Sequence, residues 1–180
     1  MEGGDRLRLF VALPLPEETA ERVLAWQRDV LGAASGARLI RRENLHVTVA
    51  FLGSRRATDA EPILEALRTA AARGARPALA PSGYRETLRV GMLVLADEDG
   101  RAARLAADVG ERLERLGVYE RERRPWLPHV TVLRFHERPR LAPPLPDLAR
   151  FSPSELALYH SVLRRSGAQY EIRESVALGG

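Results

Sequence analysis

Two four-residue stretches hold the side chains best suited to chemistry. Residues 46–49 read His46-Val47-Thr48-Val49 and residues 129–132 read His129-Val130-Thr131-Val132; together they contain two of the four histidines in this 180-residue chain. Each copy sits among apolar and β-branched residues, so each reads as a strand. Side chains alternate along a strand, which puts His46 and Thr48 on one face and Val47 and Val49 on the other, and His129 and Thr131 opposite Val130 and Val132. Imidazoles titrate near neutral pH, so a pair can divide proton transfer, one as base and one as acid. A hydroxyl two residues away on the same face can donate to an oxygen on which negative charge builds. The combination suits in-line displacement at a phosphate, where one imidazole takes a proton from the attacking oxygen and the other gives one to the leaving oxygen. A lone histidine in an apolar strand is more often a packed core residue. The second copy, in a comparable setting, is what favours chemistry.

Other chemistries fit less well. Two histidines with no third ligand at a recognisable spacing make a poor zinc site, since Glu43 and Glu137 lie near the motifs without a ligand pattern. No cofactor or metal is therefore expected. The chain has no cysteine, which excludes disulfides, Cys-ligated zinc and thiol catalysis. No G-x-S-x-G elbow, P-loop or G-x-G-x-x-G pattern is present. All 28 basic residues are arginine, so lysine nucleophiles and Schiff bases are excluded. A codon bias that also supplies the many Ala, Leu and Pro accounts for this usage, yet guanidinium suits bidentate phosphate contacts. A net charge of +4 and a pI near 10.2 are compatible with a nucleic-acid partner without specifying one. His136, in the charged turn His136-Glu137-Arg138, and His160, in a strand, are not expected to be catalytic.

The elements that must position the motifs follow from hydrophobic periodicity. Leu7–Leu13 is a strongly apolar first strand closed by Pro14 and Pro16. A helix is predicted over Glu17–Leu31, a short strand over Ala37–Arg41, and the first motif strand over His46–Leu52 with Gly53 as its end. Thr58 with Glu61 reads as a capping box for a helix to Arg73, with Ile63, Leu64, Leu67, Ala70 and Ala71 on one side and Gly74 as its stop. Pro77–Tyr84 is irregular or a short strand, and Leu88–Ala96 a buried one. Arg101–Leu116 is a third helix with Leu105, Val109, Leu113 and Leu116 as its stripe and Gly117 as its stop. After the second motif a proline-rich crossing (Pro139–Pro146) leads to strands near Glu155–Val162 and Tyr170–Leu178. Helices separated by strand pairs imply an α+β fold with mixed or antiparallel sheets. No apolar run reaches the length of a membrane span, and the acidic start of the chain lacks a hydrophobic signal region, so a cytoplasmic location is expected.

These residues resemble the two-histidine (2H) phosphoesterases, which carry a pair of H-x-T/S-x motifs, and within them the bacterial and archaeal RNA 2′,3′-cyclic phosphodiesterases, also called the 2′-5′ RNA ligase family. The likeness spans nearly the whole chain: Arg8–Leu13 resembles the opening strand, Glu43–Gly53 the first motif, Arg124–Arg134 the second, and Glu155–Ser161 with Gly167–Tyr170 the C-terminal hairpin. The resemblance implies one bilobal domain over residues 1–180, with two antiparallel β-sheets facing a central cleft, helices packed outside, and one motif per lobe at 46–49 and 129–132. It implies metal-independent hydrolysis of an RNA terminal 2′,3′-cyclic phosphate, or of a cyclic nucleotide, to a 2′-phosphomonoester by a monomer that needs no membrane. By analogy His46 would donate the proton to the leaving 3′-oxygen and His129 would accept one from water, while Thr48 and Thr131 hold the phosphate. The residues themselves do not tell the two roles apart.

Arg134 matches the basic position after the second motif and is a candidate phosphate ligand. Five residues from His129, simple alternation places it on the wrong face, so it needs a bulge or the strand's end to reach the cleft. Trp126 has two readings, packing or stacking on a base, and Arg121–Arg124 reads as an RNA-tracking run or as a solvated loop. A reversible 2′-5′ RNA ligase and a non-catalytic RNA-end binding module are the alternatives to hydrolysis.

Overall fold

The computed structural model describes residues 5–165 and 167–179. Eight strands and three α-helices are formed among the described residues: β1 (Arg6–Pro14), α1 (Glu17–Trp26), β2 (Ala37–Leu39), β3 (His46–Arg56), α2 (Ala60–Arg73), β4 (Ala80–Glu86), β5 (Val90–Ala96), α3 (Arg101–Arg115), β6 (His129–Phe135), β7 (Glu155–Arg164) and β8 (Gly167–Ala177). None of the helices is long and apolar enough to cross a membrane.

Every strand pairing is antiparallel, and the strands fall into two groups of four: β8-β7-β1-β3, and β4-β5-β6-β2. The groups meet along β3 and β6, which share one ladder pair, Val47 with Val130. The two expected sheets are thus halves of one curled sheet, joined at a single point and splayed on either side of it. The fold is α+β, with the two halves facing each other across a cleft.

Strand β1 explains the strongly apolar opening. It lies between β3 and β7, so both its edges are paired, and side chains pack on both its faces, so Leu9–Leu13 are all buried. Leu9, Val11 and Leu13 join the main core with the helices, whereas Phe10 and Ala12 form a second cluster with Ala157 and Tyr159 on the other face. Helix α2 buries the five residues its spacing predicts, Ile63, Leu64, Leu67, Ala70 and Ala71. Helix α3 buries Leu105, Val109 and Leu113, but Leu116, just past its end, is exposed. Burial of these aliphatic side chains is the main favourable term, about 1.5–3 kcal/mol for each large one.

Three local expectations are corrected. The helix over Glu17–Leu31 is α-helical only to Trp26; Gln27–Leu31 widen into a π turn that buries Gln27 and Leu31. Strand β3 does not stop at Gly53: that glycine has φ +71° and sits in a bulge, and the strand runs on to Arg56. The N-cap residue of α2 is Asp59, not Thr58, and its side chain does not cap α2; its carboxylate closes the preceding 3-10 turn, Ala57–Asp59, by accepting the Arg56 N–H at 3.0 Å.

The proline-rich crossing that returns from β6 to β7 is fastened by one buried carboxylate. Glu86 accepts hydrogen bonds from Leu141 N–H (2.8 Å), Arg140 N–H (2.9 Å), Arg138 Nε (3.1 Å) and the Tyr84 hydroxyl (3.2 Å). Burial alone would raise its pKa, but the bonds from Leu141, Arg138 and Arg140 outweigh burial and hold it below the usual carboxylate range. Glu86→Ala is expected to lower the unfolding free energy at pH 7 by about 3 kcal/mol in urea titrations, because two backbone N–H groups and a guanidinium lose their acceptor. The folded carboxyl has the lower pKa, so its contribution is present above the ordinary glutamate range and fades as pH falls through the folded value. The gap between wild type and variant should close in acid.

Candidate active site

The shared pair Val47–Val130 sets the geometry of both motifs. Extending its antiparallel register by one residue on either side places His46 opposite Thr131 and Thr48 opposite His129. Each imidazole thus stands across from the other motif's hydroxyl, with the valines directed into the core, where Val47, Val49, Val130 and Val132 are buried.

Both motif strands then break alternation in the same way. Against β1, Val11 pairs with Ala50 and Ala12 with Thr48, so Val49 is an extra residue. Against β5, Gly91 pairs with Leu133 and Met92 with Thr131, so Val132 is the extra residue in β6. A bulge of this kind inserts one unpaired residue and re-aims the side chains beyond it. Consequently Phe51 and Arg134, each five residues after its histidine, return to the cleft face, and Leu133 turns into the core. The bulge supplies the detour that the alternation argument required for Arg134.

A cleft of about 630 Å³ is lined by His46, Thr48, Thr131 and Arg134, together with Arg8, Phe10, Arg38, Arg41, Asn44, Phe51 and Tyr170. His129 is half-buried beside it, on the face it shares with Thr131, and does not itself line the cavity.

The two histidines have different surroundings. His46 lies within an aromatic cage, with ring centroids of Phe10, Tyr170 and Tyr159 at 5.0, 5.4 and 5.6 Å. Its Nε2 is 3.1 Å from Thr48 Oγ1, and its buried Nδ1 has no hydrogen-bond partner, although the Asn44 backbone is close enough to favour a proton. Burial, reinforced by the positive charges of His129 and Arg134, lowers the His46 pKa from its ordinary value of 6.5 to about 4. In the free protein His46 is therefore neutral at physiological pH. His129 is oriented by the chain that delivers it. Its Nδ1–H donates to the Leu127 carbonyl at 2.8 Å, which leaves the Nε2 lone pair free to accept a proton.

Trp126 is a clasp between the motifs: its indole N–H donates to the Thr48 carbonyl at 3.1 Å, and its ring packs on the main core. Of its two readings, packing holds. Arg121 and Arg124 are paired with Glu114 and Glu122 and lie outside the cleft lining. His136 is exposed, and His160 lies in β7 opposite Glu171, also outside the lining.

Sequence reasoning missed Arg8, Arg38 and Arg41. None of them, nor Arg134, makes a salt bridge among the described residues, whereas half of the arginines elsewhere do. The cleft thus gathers four such guanidinium groups, and among the described residues the only carboxylate in its lining is Glu43. Phe51 was also missed. It is 52% exposed and lies under Arg8, whose guanidinium carbon is 5.2 Å from the ring centroid. The parallel between His46-to-Phe51 and His129-to-Arg134 was the available signal for it.

Comparison with known proteins gives a consistent picture. Residues 13–83 match the family model described as LigT like Phosphoesterase. Proteins named RNA 2′,3′-cyclic phosphodiesterase are similar along most of their length. The one from Escherichia coli K12 is 29% identical, covering 91% of this chain and 92% of its own. The one from Methanocaldococcus jannaschii is 25% identical, covering 92% and 98%. Among solved structures, a Thermus thermophilus protein superposes with a TM-score of 0.82 at 26% identity over 96% of this chain and 98% of its own. E. coli LigT complexed with 3′-AMP gives 0.79 at 26% identity over 98% and 99%.

The imidazole environments predict two pH effects. In NMR titrations of the free protein His46 should titrate at about 4, and saturating inorganic phosphate should raise that value, because an anion offsets the positive charges of His129 and Arg134. Between pH 6.5 and 4 the unfolded chain binds a proton at this position that the folded chain does not. Stability should therefore be greatest above that window and fall on acidification by an amount on the order of 3 kcal/mol. Chemical denaturation at pH 7 and pH 4 should show a smaller acid loss in His46→Phe.

Proposed function

We propose, on the premise that this chain belongs to the LigT-like phosphoesterases, that it hydrolyses the 2′,3′-cyclic phosphate at an RNA terminus to a 2′-phosphomonoester by two-histidine acid–base catalysis. The observation that carries the reading is the convergence of His46, Thr48, Thr131 and Arg134 on one positively charged cleft, with His129 beside them in a fixed tautomer. The E. coli LigT structures with 3′-AMP and with phosphate favour the same class of ligand here. Both motifs belong to one chain, so the site is complete in a monomer.

In the proposed reaction His129 Nε2 takes a proton from water as the water oxygen bonds to phosphorus. The bond from phosphorus to the 3′-oxygen breaks, and His46 protonates that oxygen as it leaves. Thr48 and Thr131 donate their hydroxyls to non-bridging oxygens, and Arg134 neutralises the charge that grows on them. The Leu127 carbonyl supports the base role of His129, since the bond to Nδ1–H stabilises the imidazolium that forms. His46 begins neutral, so its acid role requires a proton taken up with the substrate, when the anionic phosphate replaces Thr48 as its neighbour. Arg8 and Phe51 offer a stacking surface for a base on the cleft wall, of a kind worth about 1–3 kcal/mol.

His46→Ala and His129→Ala are each expected to lose about a thousandfold in turnover of a 2′,3′-cyclic nucleotide while keeping a native circular dichroism spectrum. Full activity in either variant would remove the acid–base assignment. Turnover should persist in EDTA. One cyclic-phosphate oligonucleotide, assayed with and without a 5′-hydroxyl acceptor strand, separates the alternatives: a 2′-phosphate product supports hydrolysis, a 2′-5′ joined product supports ligation, and binding without product supports an RNA-end binding module.

A further inference from the structure

We infer that Gln27 is a positioning residue for phosphate binding: it fixes the β6 bulge that turns Arg134 into the cleft. The inference rests on the phosphodiesterase reading, since it concerns how that site acquires its cation.

Gln27 is fully buried, at the first position of the π turn that ends α1. Its Nε2 donates to the Val132 carbonyl at 2.6 Å and lies 3.3 Å from the Ile40 carbonyl. Val132 is the extra residue of the bulge, and its carbonyl also accepts the Ile40 N–H at 3.2 Å. The β2–β6 ladder runs Ala37 with Phe135, Arg38 with Arg134 and Leu39 with Leu133. The next carbonyl on β6 is the one that Gln27 and Ile40 hold. One amide therefore bridges two strands at the point where the register of β6 changes.

The consequence lies two residues further on. In an unbulged β6, strict alternation from His129 and Thr131 would put Leu133 in the cleft and Arg134 in the core. Leu133 is instead fully buried, and Arg134 is exposed on the cleft face. The buried Oε1 of Gln27 has no hydrogen-bond partner. An apolar side chain of the same length would avoid that orphaned acceptor but would take a donor from the Val132 and Ile40 carbonyls. What the amide adds is a hold on the bulge carbonyl.

The test is a double-mutant cycle of Gln27→Met and Arg134→Ala, with inorganic phosphate affinity by calorimetry, kcat/KM on a 2′,3′-cyclic nucleotide, and Tm. Gln27→Met should leave Tm near the wild-type value, because removal of the orphaned Oε1 offsets the donor lost to Val132 and Ile40, yet lose about tenfold in phosphate affinity and in kcat/KM. In the Arg134→Ala background the same substitution should cost less than about twofold. Equal losses in both backgrounds, or no loss in either, would overturn the inference. So would failure of both Gln27→Met and Gln27→Glu to fold, which would assign the amide to the core. A wild-type protein that binds phosphate but never turns over the nucleotide would sink the phosphodiesterase reading, while the phosphate arm of the cycle still judges Gln27.

Discussion

One backbone pair, Val47 with Val130, is the constraint on which the rest of the site depends. Two half-sheets of four strands each touch there, and the motif strands must diverge on either side of that point. Divergence opens the cleft; contact fixes the register that sets each histidine across from the other motif's threonine. The valines on the reverse side of both motifs anchor the strands in one core, and the Trp126 indole adds a second tie to the Thr48 carbonyl. A pair of strands bonded along their whole length would leave no room for a substrate. A pair with no bond between them would leave the imidazoles without a common frame.

The two halves repeat a device as well as a motif. In each, one extra valine follows the threonine and brings the fifth residue after the histidine back to the cleft. The residues so delivered differ, Phe51 from one half and Arg134 from the other. One half thus contributes an aromatic ring with the Arg8 guanidinium over it, and the other the Arg134 guanidinium. The histidines diverge likewise. His46 sits in an aromatic cage that favours its neutral form, whereas His129 has a carbonyl on its Nδ1–H. Identical tetrapeptides thus stand in different surroundings, which their neighbours and not their own residues decide.

Much of this was legible in the chain, and the reasons for the rest are physical. The alternation of His-Val-Thr-Val fixed which side chains face the cleft, and the 3.6-residue spacing of Ile63, Leu64, Leu67, Ala70 and Ala71 identified the buried face of α2. The bulges were not legible, because Val49 and Val132 are ordinary strand residues and a bulge is decided by the partner strand. The π turn that buries Gln27 left no compositional mark either. Arg8, Arg38 and Arg41 were hidden among 28 arginines. They differ from the others in being gathered around one cleft, which depends on which strands come together.

The arginine-only composition has a consequence for this cleft beyond attraction of anions. Guanidinium groups keep their charge across the whole range in which proteins are stable, roughly to pH 12. Arg8, Arg38, Arg41 and Arg134 therefore impose a field that does not change when the surroundings become more alkaline, as a lysine-lined cleft would begin to do near pH 10. Against that constant background His46, neutral until the pH falls to about 4, is a charge in the lining that a bound anion can switch. The cleft behaves as a fixed electrode with a switchable contact.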